Sequence, residues 1–351
     1  MAGHPAQRAT SQGKDRQDMA GHRSSLPREA TGVPFPHAMD LMDCLSLERL
    51  GDDLFQGVCH DGIPPRAFGG QVAAQSLTAA ARTVPGGRTA HSLHGYFLRA
   101  GDTRRPIVYT VERLRDGGSY LSRRVTARQE GETIFALSAS FKSAEPGPDR
   151  QRPMPSVPGP DEVPDLSGLW AGTDPEHHAN STFHRVLDLR CLRVPEERTE
   201  PGQTEQRLWV RAAHPLPDDP HPHACALAYA SDLWLAPTVT LAIEPPGMLR
   251  AGSSSVFLTS LDHAIWYHRP FRADRWLLFA QRSPTHADGR GLAMADVRDP
   301  EGRLITTVVQ ETVIRAKRPA AATTARPALP APPARDAGPA GAVGATGREE
   351  R

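Results

Sequence analysis

The run FGGQVAAQSLTAAART, residues 68–83, decides how this chain is read. Val72, Ala73, Leu77, Ala80 and Ala81 recur at helical spacing, so a helix opens at Phe68-Gly69-Gly70-Gln71 and stops near Pro85-Gly86-Gly87. Its apolar stripe is mostly alanine, which lets a covering layer come very close. A curved sheet wrapped around a thin helix requires such a surface. After the helix the period changes to two. HSLHGYFL (91–98), PIVYTVERL (106–114), SYLSRRVTARQ (119–129) and ETIFALSASF (132–141) read as strands. Turns at Asp116-Gly117-Gly118 and Glu130-Gly131 make hairpins of the later ones. One helix followed by an antiparallel meander is the unit.

The unit recurs. ALAYASDLWLAP (226–237) is an apolar helix carrying one carboxylate, Asp232. Read locally, Ser231 or Asp232 is equally a cap that begins a helix running into Leu233, Trp234 and Leu235. Around it lie the strands QRLWVRAA (206–213), SLDHAIWYHRPF (260–271), WLLFAQR (276–282), GLAMADVRD (291–299) and RLITTVVQETVIR (303–315). His94 and His263 take matching places in the two aromatic-rich strands, and Gly131 and Gly302 in the last hairpins. The class is α+β, with two related halves at 41–142 and 183–315. A polar, disordered arm occupies 1–40. A proline-rich linker fills 143–182, with a short helix near Leu166 to Trp170, and an Ala/Pro-rich disordered tail follows at 316–351. HPLPDDPHPH (214–223) reads as a loop, because its histidines alternate with prolines and no regular element fixes them as metal ligands.

The totals narrow the function. Across 351 residues the net charge is +1, which speaks against a nucleic-acid partner, and no apolar run is long enough to span a membrane. Cys44, Cys59, Cys191 and Cys225 lie far apart, which argues against a zinc site or disulfide framework and fits a reducing, cytoplasmic setting.

FGGQVAAQSL, HSLHGYFLRAGD, RRVTARQEGETIFALSASF, YASDLWLAP, LDHAIWYHRPF and VVQETVIR each resemble blocks of the type II acyl-CoA thioesterases, the TesB-like family. They stand in the family's order, and the match covers roughly residues 45 to 315. The resemblance implies a double hotdog, two helix-wrapped antiparallel sheets forming a pseudo-dimer within one chain. It implies hydrolysis of fatty acyl-CoA to free acid and CoA with no metal or organic cofactor, and a tendency to form homo-oligomers. It also implies an aspartate, a hydroxyl residue and a glutamine that hold the attacking water. These fall on Asp232, Ser260 and Gln310. Thr312 departs from the glycine often found after the Gln-Glu pair.

The chemistry needs a base, an aligned water and donors for the oxyanion. Backbone N–H groups at the start of the first helix are natural donors, and Gly69 and Gly70 let substrate come close. On this reading Gly70→Val lowers turnover more than stability. Ala139 matches Gln310, so one site per chain is competent. Structural alternatives stay open: Ser260 as a strand end, Gln310 as a cross-sheet partner. His91, His94, His263 and His268 read as core histidines. Arg113, Arg115, Arg123, Arg124 and Arg128 make a basic meander that meets either CoA phosphates or solvent. Two rivals are an enoyl-CoA hydratase and a non-catalytic acyl-CoA or acyl-carrier binding module. The first pairs its aspartate with a histidine a few residues on, and none follows Asp232. The second needs no base.

Overall fold

A computed structural model describes residues 40–60, 66–166, 182–192, 205–241 and 256–317. The expected arm, the tail and the helix beyond Leu166 lie outside the described residues. The first half runs α1 (Leu41–Leu45), β1 (Glu48–Arg49), β2 (Leu54–Gly57), α2 (Gly69–Ala81), β3 (Arg88–Phe97), β4 (Ile107–Asp116), β5 (Tyr120–Gln129) and β6 (Glu132–Ser143). The second runs α3 (Phe183–Val186), β7 (Leu187–Cys191), β8 (Glu205–Ala212), α4 (Pro220–Ser231), β9 (Val256–Ser260), β10 (Asp262–Tyr267), β11 (Leu277–Ala287), β12 (Arg290–Arg298) and β13 (Leu304–Ala316).

One 13-stranded sheet joins the halves, in the order β1-β2-β4-β5-β6-β3-β10-β13-β12-β11-β8-β7, with β9 alongside β13. From its centre, β3-β6-β5-β4-β2 in one direction is matched by β10-β13-β12-β11-β8 in the other. That symmetry is an internal two-fold, and the antiparallel pair β3–β10 lies on it, with Leu93 opposite Ile265 and both fully buried. The alanines of α2 behave as their small size requires. Ala73, Ala74, Ala79 and Ala80 are fully buried within one core that also contains Val125, Leu137 and Phe141. The helices meet so closely that a Cβ on Gly70 would lie 2.4 Å from the Tyr229 carbonyl oxygen. This is the double hotdog that the resemblance implies. No helix among the described residues is long and apolar enough to cross a membrane.

Four local readings change. HPLPDDPHPH is not all loop: α4 begins at Pro220, because Asp219 caps it by accepting the His221 N–H (3.0 Å), and prolines in a first turn forfeit only N–H groups with no helical partner. Asp232 therefore closes a helix and does not open one. SLDHAIWYHRPF is broken at Leu261 into the end of β9 and all of β10, both running along β13. His94 and His263 are not equivalent. His94 is exposed and edge-on to Trp266, whereas His263 is fully buried, so Leu93 takes the inward place in β3. Finally, the proline-rich segment is strapped to the second half. Gln151 exchanges hydrogen bonds with the Gly302 oxygen (2.9 Å) and the Leu304 N–H (2.8 Å), and Trp209 donates to the Pro158 oxygen (3.0 Å).

Candidate active site

Asp232 is the C-cap of α4. A carboxylate there faces the negative end of the helix dipole, a placement that costs about 0.3–1 kcal/mol at an exposed position. Two devices hold it. The turn that follows is pinned from the sheet: Gln281 donates to the Leu233 oxygen (3.2 Å), Gln206 donates to the Trp234 oxygen (3.1 Å), and the two glutamines are joined at 2.6 Å. Trp234 takes the left-handed conformation at φ 61°, which a bulky residue adopts only under such constraint. The carboxylate itself is gripped by Gln310, fully buried on the inner face of β13, whose Nε2 donates to Asp232 Oδ1 at 2.7 Å.

The second oxygen is left facing a cavity. A Cβ built on Gly69, the first residue of α2, would lie 2.8 Å from Asp232 Oδ2 and 3.0 Å from the Phe97 ring. Asp232, Gly69 and Ser260 all line a cavity of about 380 Å³ whose walls include Val72, Phe97, Leu98, Ile134, Phe135 and Leu261. Ser260 gets there because the break at Leu261 ends β9 opposite Thr312. Phe68 at the N-cap of α2 offers no side-chain acceptor, so the Gly69 and Gly70 N–H groups have no partner among the described residues. Helical N–H groups point along the axis toward the N-terminal end, which here meets the cavity.

The five expected site residues thus separate. Asp232 and Gln310 touch, and Ser260 and Gly69 share the cavity with Asp232. Ser260 makes no hydrogen bond to either side chain among the described residues. Gln310 lies behind the carboxylate and off the cavity wall, so it orients Asp232. Gly70 is under the α4 backbone, where a side chain meets Tyr229, and Gly70→Val must strain the helix pair before it touches substrate.

His263 is fully buried and stands off the wall of the cavity that Asp232 lines, so it reaches no water there; burial also lowers its pKa. The Ser231 hydroxyl donates to the Ala228 oxygen (3.0 Å), so it accepts from His263 Nε2–H at 2.8 Å. His91, half-buried, bonds Ser140, and His268 bonds Thr307. Nor is a thiol available. Burial pushes Cys44, Cys59 and Cys225 up to about 12, far from the reactive range.

The basic meander is largely spoken for. Arg123 is wholly buried and paired with Asp116 and Thr83, and Arg113 and Arg124 pair with Asp53 and Glu112. Arg66 and Arg99 stand on the cavity wall instead, which strand periodicity could not reveal because both lie in connecting segments. Gln281 was visible in principle, as a lone polar residue at an inward position of WLLFAQR.

In the first half the corresponding positions differ. The C-cap of α2 is Arg82, and the inward residues of the central strand pair are Leu93 and Ala139, which face each other. One half has a carboxylate, the other a cation.

Residues 60–142 match the model of the acyl-CoA thioesterase N-terminal domain, and residues 148–314 that of the C-terminal domain. The chain is 38% identical over 290 residues to human acyl-coenzyme A thioesterase 8, covering 78% of this chain and 88% of that protein. It is 37% identical over 285 residues to acyl-CoA thioesterase 2 of Haemophilus influenzae, covering 79% and 97%. The crystal structure of acyl-CoA thioesterase II TesB2 from Mycobacterium marinum superposes with a TM-score of 0.65 at 40% identity, covering 78% and 98%.

Proposed function

Because the chain belongs to the acyl-CoA thioesterase family and is an acyl-CoA thioester hydrolase, we propose that it cleaves fatty acyl-CoA by water attack directed from Asp232. The observation that carries this reading is the division of the carboxylate. Gln310 occupies Oδ1 at 2.7 Å, which leaves Oδ2 toward the cavity and Gly69. A water bound to Oδ2 and to the Ser260 hydroxyl loses a proton to Asp232 as its oxygen bonds the thioester carbon. The carbonyl oxygen becomes negative and is met by the Gly69 N–H at the start of α2. The tetrahedral species then expels CoA thiolate, which takes the proton back from Asp232. Such a positioned base supplies about 10²–10⁴-fold, and each oxyanion donor about 10²–10³-fold.

The apolar wall of Val72, Phe97, Leu98, Ile134 and Phe135 receives the acyl chain. Arg66, whose guanidinium has no acceptor among the described residues, meets CoA phosphate at the mouth. The buried free thiols fit a reducing cytoplasm. Palmitoyl-CoA incubated with the protein and a thiol reagent tests the reading: CoA thiol is released with turnover. Binding without release would instead identify an acyl-CoA binding module.

A further inference from the structure

The internal two-fold relates the two ends of the helix pair as well as the sheets. At one end the start of α2 meets the end of α4, around Asp232. At the other end the start of α4 meets the end of α2, and a cavity of about 900 Å³ opens there. Aligned at their C-caps, the helices place Arg82 where the first site has Asp232, and Asp219 where it has Gly69. Both line this second cavity.

The chemistry is inverted. A guanidinium replaces the base, and the N–H groups that would serve as oxyanion donors are covered by Asp219, which accepts the His221 N–H at 3.0 Å. This cavity cannot hydrolyse a thioester. It retains an apolar trough of Met42, Leu45, Leu47 and Val84, with Arg82 and Arg88 beside it. Arg82 spends one N–H on the Leu47 oxygen (2.7 Å) and lies over the Phe55 ring, which leaves its other donors open. Arg88 gives Nη2 to the Gly118 oxygen, while its Nε is buried with no partner among the described residues. Two guanidiniums on one cavity, one of them with a buried Nε that has no partner among the described residues, call for an anion.

We infer that this second cavity binds the carboxylate and chain of a long-chain fatty acid, giving the protein a non-hydrolytic site for its own product. The inference rests on the fatty acyl-CoA reading of the first site. Asp219 weighs against the alternative amphiphile, since its charge repels the several phosphates of CoA more strongly than the single charge of a carboxylate.

Photolabelling of the full chain with a diazirine-bearing palmitate, mapped by peptide mass spectrometry, tests it. Label is expected within residues 41–47 and 78–89. It should fall about tenfold or more in Arg82→Glu, as loss of a charge-assisted bond implies, and persist in Asp232→Asn. Acyl-CoA hydrolysis by Arg82→Glu should stay at the wild-type rate. If Arg82→Glu fails to fold, Val84→Trp fills the trough and reads the same loss. Label confined to residues 66–72 and 97–101, or undiminished in Arg82→Glu, overturns the inference. Thiol release without label at this cavity overturns the inference alone. Label without thiol release supports it and overturns the hydrolytic reading instead.

Discussion

Adjacent glycines at the start of α2 separate catalysis from packing. In Gly69→Ala the new methyl lies 2.8 Å from Asp232 Oδ2 and 3.0 Å from Phe97, so the carboxylate or the ring must move by a few tenths of an ångström. Displacements approaching 1 Å cost about 10²-fold in rate, and a smaller one should cost about tenfold, or ~1.4 kcal/mol in the barrier. Stability should fall less than in Gly70→Ala, because the atoms in the way are side-chain ends that can move, not backbone. In Gly70→Ala the methyl meets the Tyr229 backbone oxygen at 2.4 Å, which no rotamer relieves. Forcing α2 from α4 should cost about 1–3 kcal/mol. Each kcal/mol lowers Tm by about 2–4 °C in a chain of this size. Thermal melts and initial rates with one acyl-CoA, measured on both variants, read the contrast. Full turnover in Gly69→Ala, or a larger stability loss there than in Gly70→Ala, would refute the placement of Gly69 beside the reacting atoms.

Ser260→Ala removes a hydroxyl from the cavity wall without creating a buried orphan. Its kcat should fall about 10-fold with Tm unchanged, and an unchanged kcat would leave Ser260 a strand end only. Gln281→Leu strands the Leu233 oxygen and breaks the Gln206–Gln281 pair, at about 1–3 kcal/mol for each buried group left unpaired. Urea melts should show that loss, and kcat should fall with it because the turn bearing Asp232 loses its anchor. Asp274 is held down at about 2, against an ordinary 3.8, chiefly by the hydrogen bond from Arg272 and also by the Leu216 N–H. Its folded value is depressed, so its contribution to stability is present above about pH 4 and lost as pH falls toward 2. Asp274→Asn should therefore melt below wild type at pH 7, with the gap closing in melts taken at low pH.

The sequence made the fold legible where pattern and packing agree. The alanine stripe of α2 and the period-two runs after it define the first half without help, and their recurrence defines the second. The start of α4 was hidden because Pro220 and Pro222 read as breakers, although a first turn needs no N–H from them. The inward phases of β3 and β10 were hidden because register, not residue type, decides that Leu93 and His263 point inward while His94 does not. Asp232 stood out as the lone carboxylate of an apolar helix, but its role, and Ser260 and Gln310 altogether, were named only because several blocks together resemble a family. No local pattern links residues so far apart. The contact between Gln310 and Asp232, and the removal of Gly70 from the cavity, depend on helix packing that only coordinates display.

Everything in the mechanism passes through one carboxylate. The decisive measurement is the steady-state rate of Asp232→Asn with an acyl-CoA, beside its Tm. Asparagine keeps an oxygen for the Gln310 N–H, so Tm should stay within a few degrees of wild type while kcat falls about 10²–10⁴-fold. A well-folded Asp232→Asn protein that turns over at the wild-type rate would contradict the account.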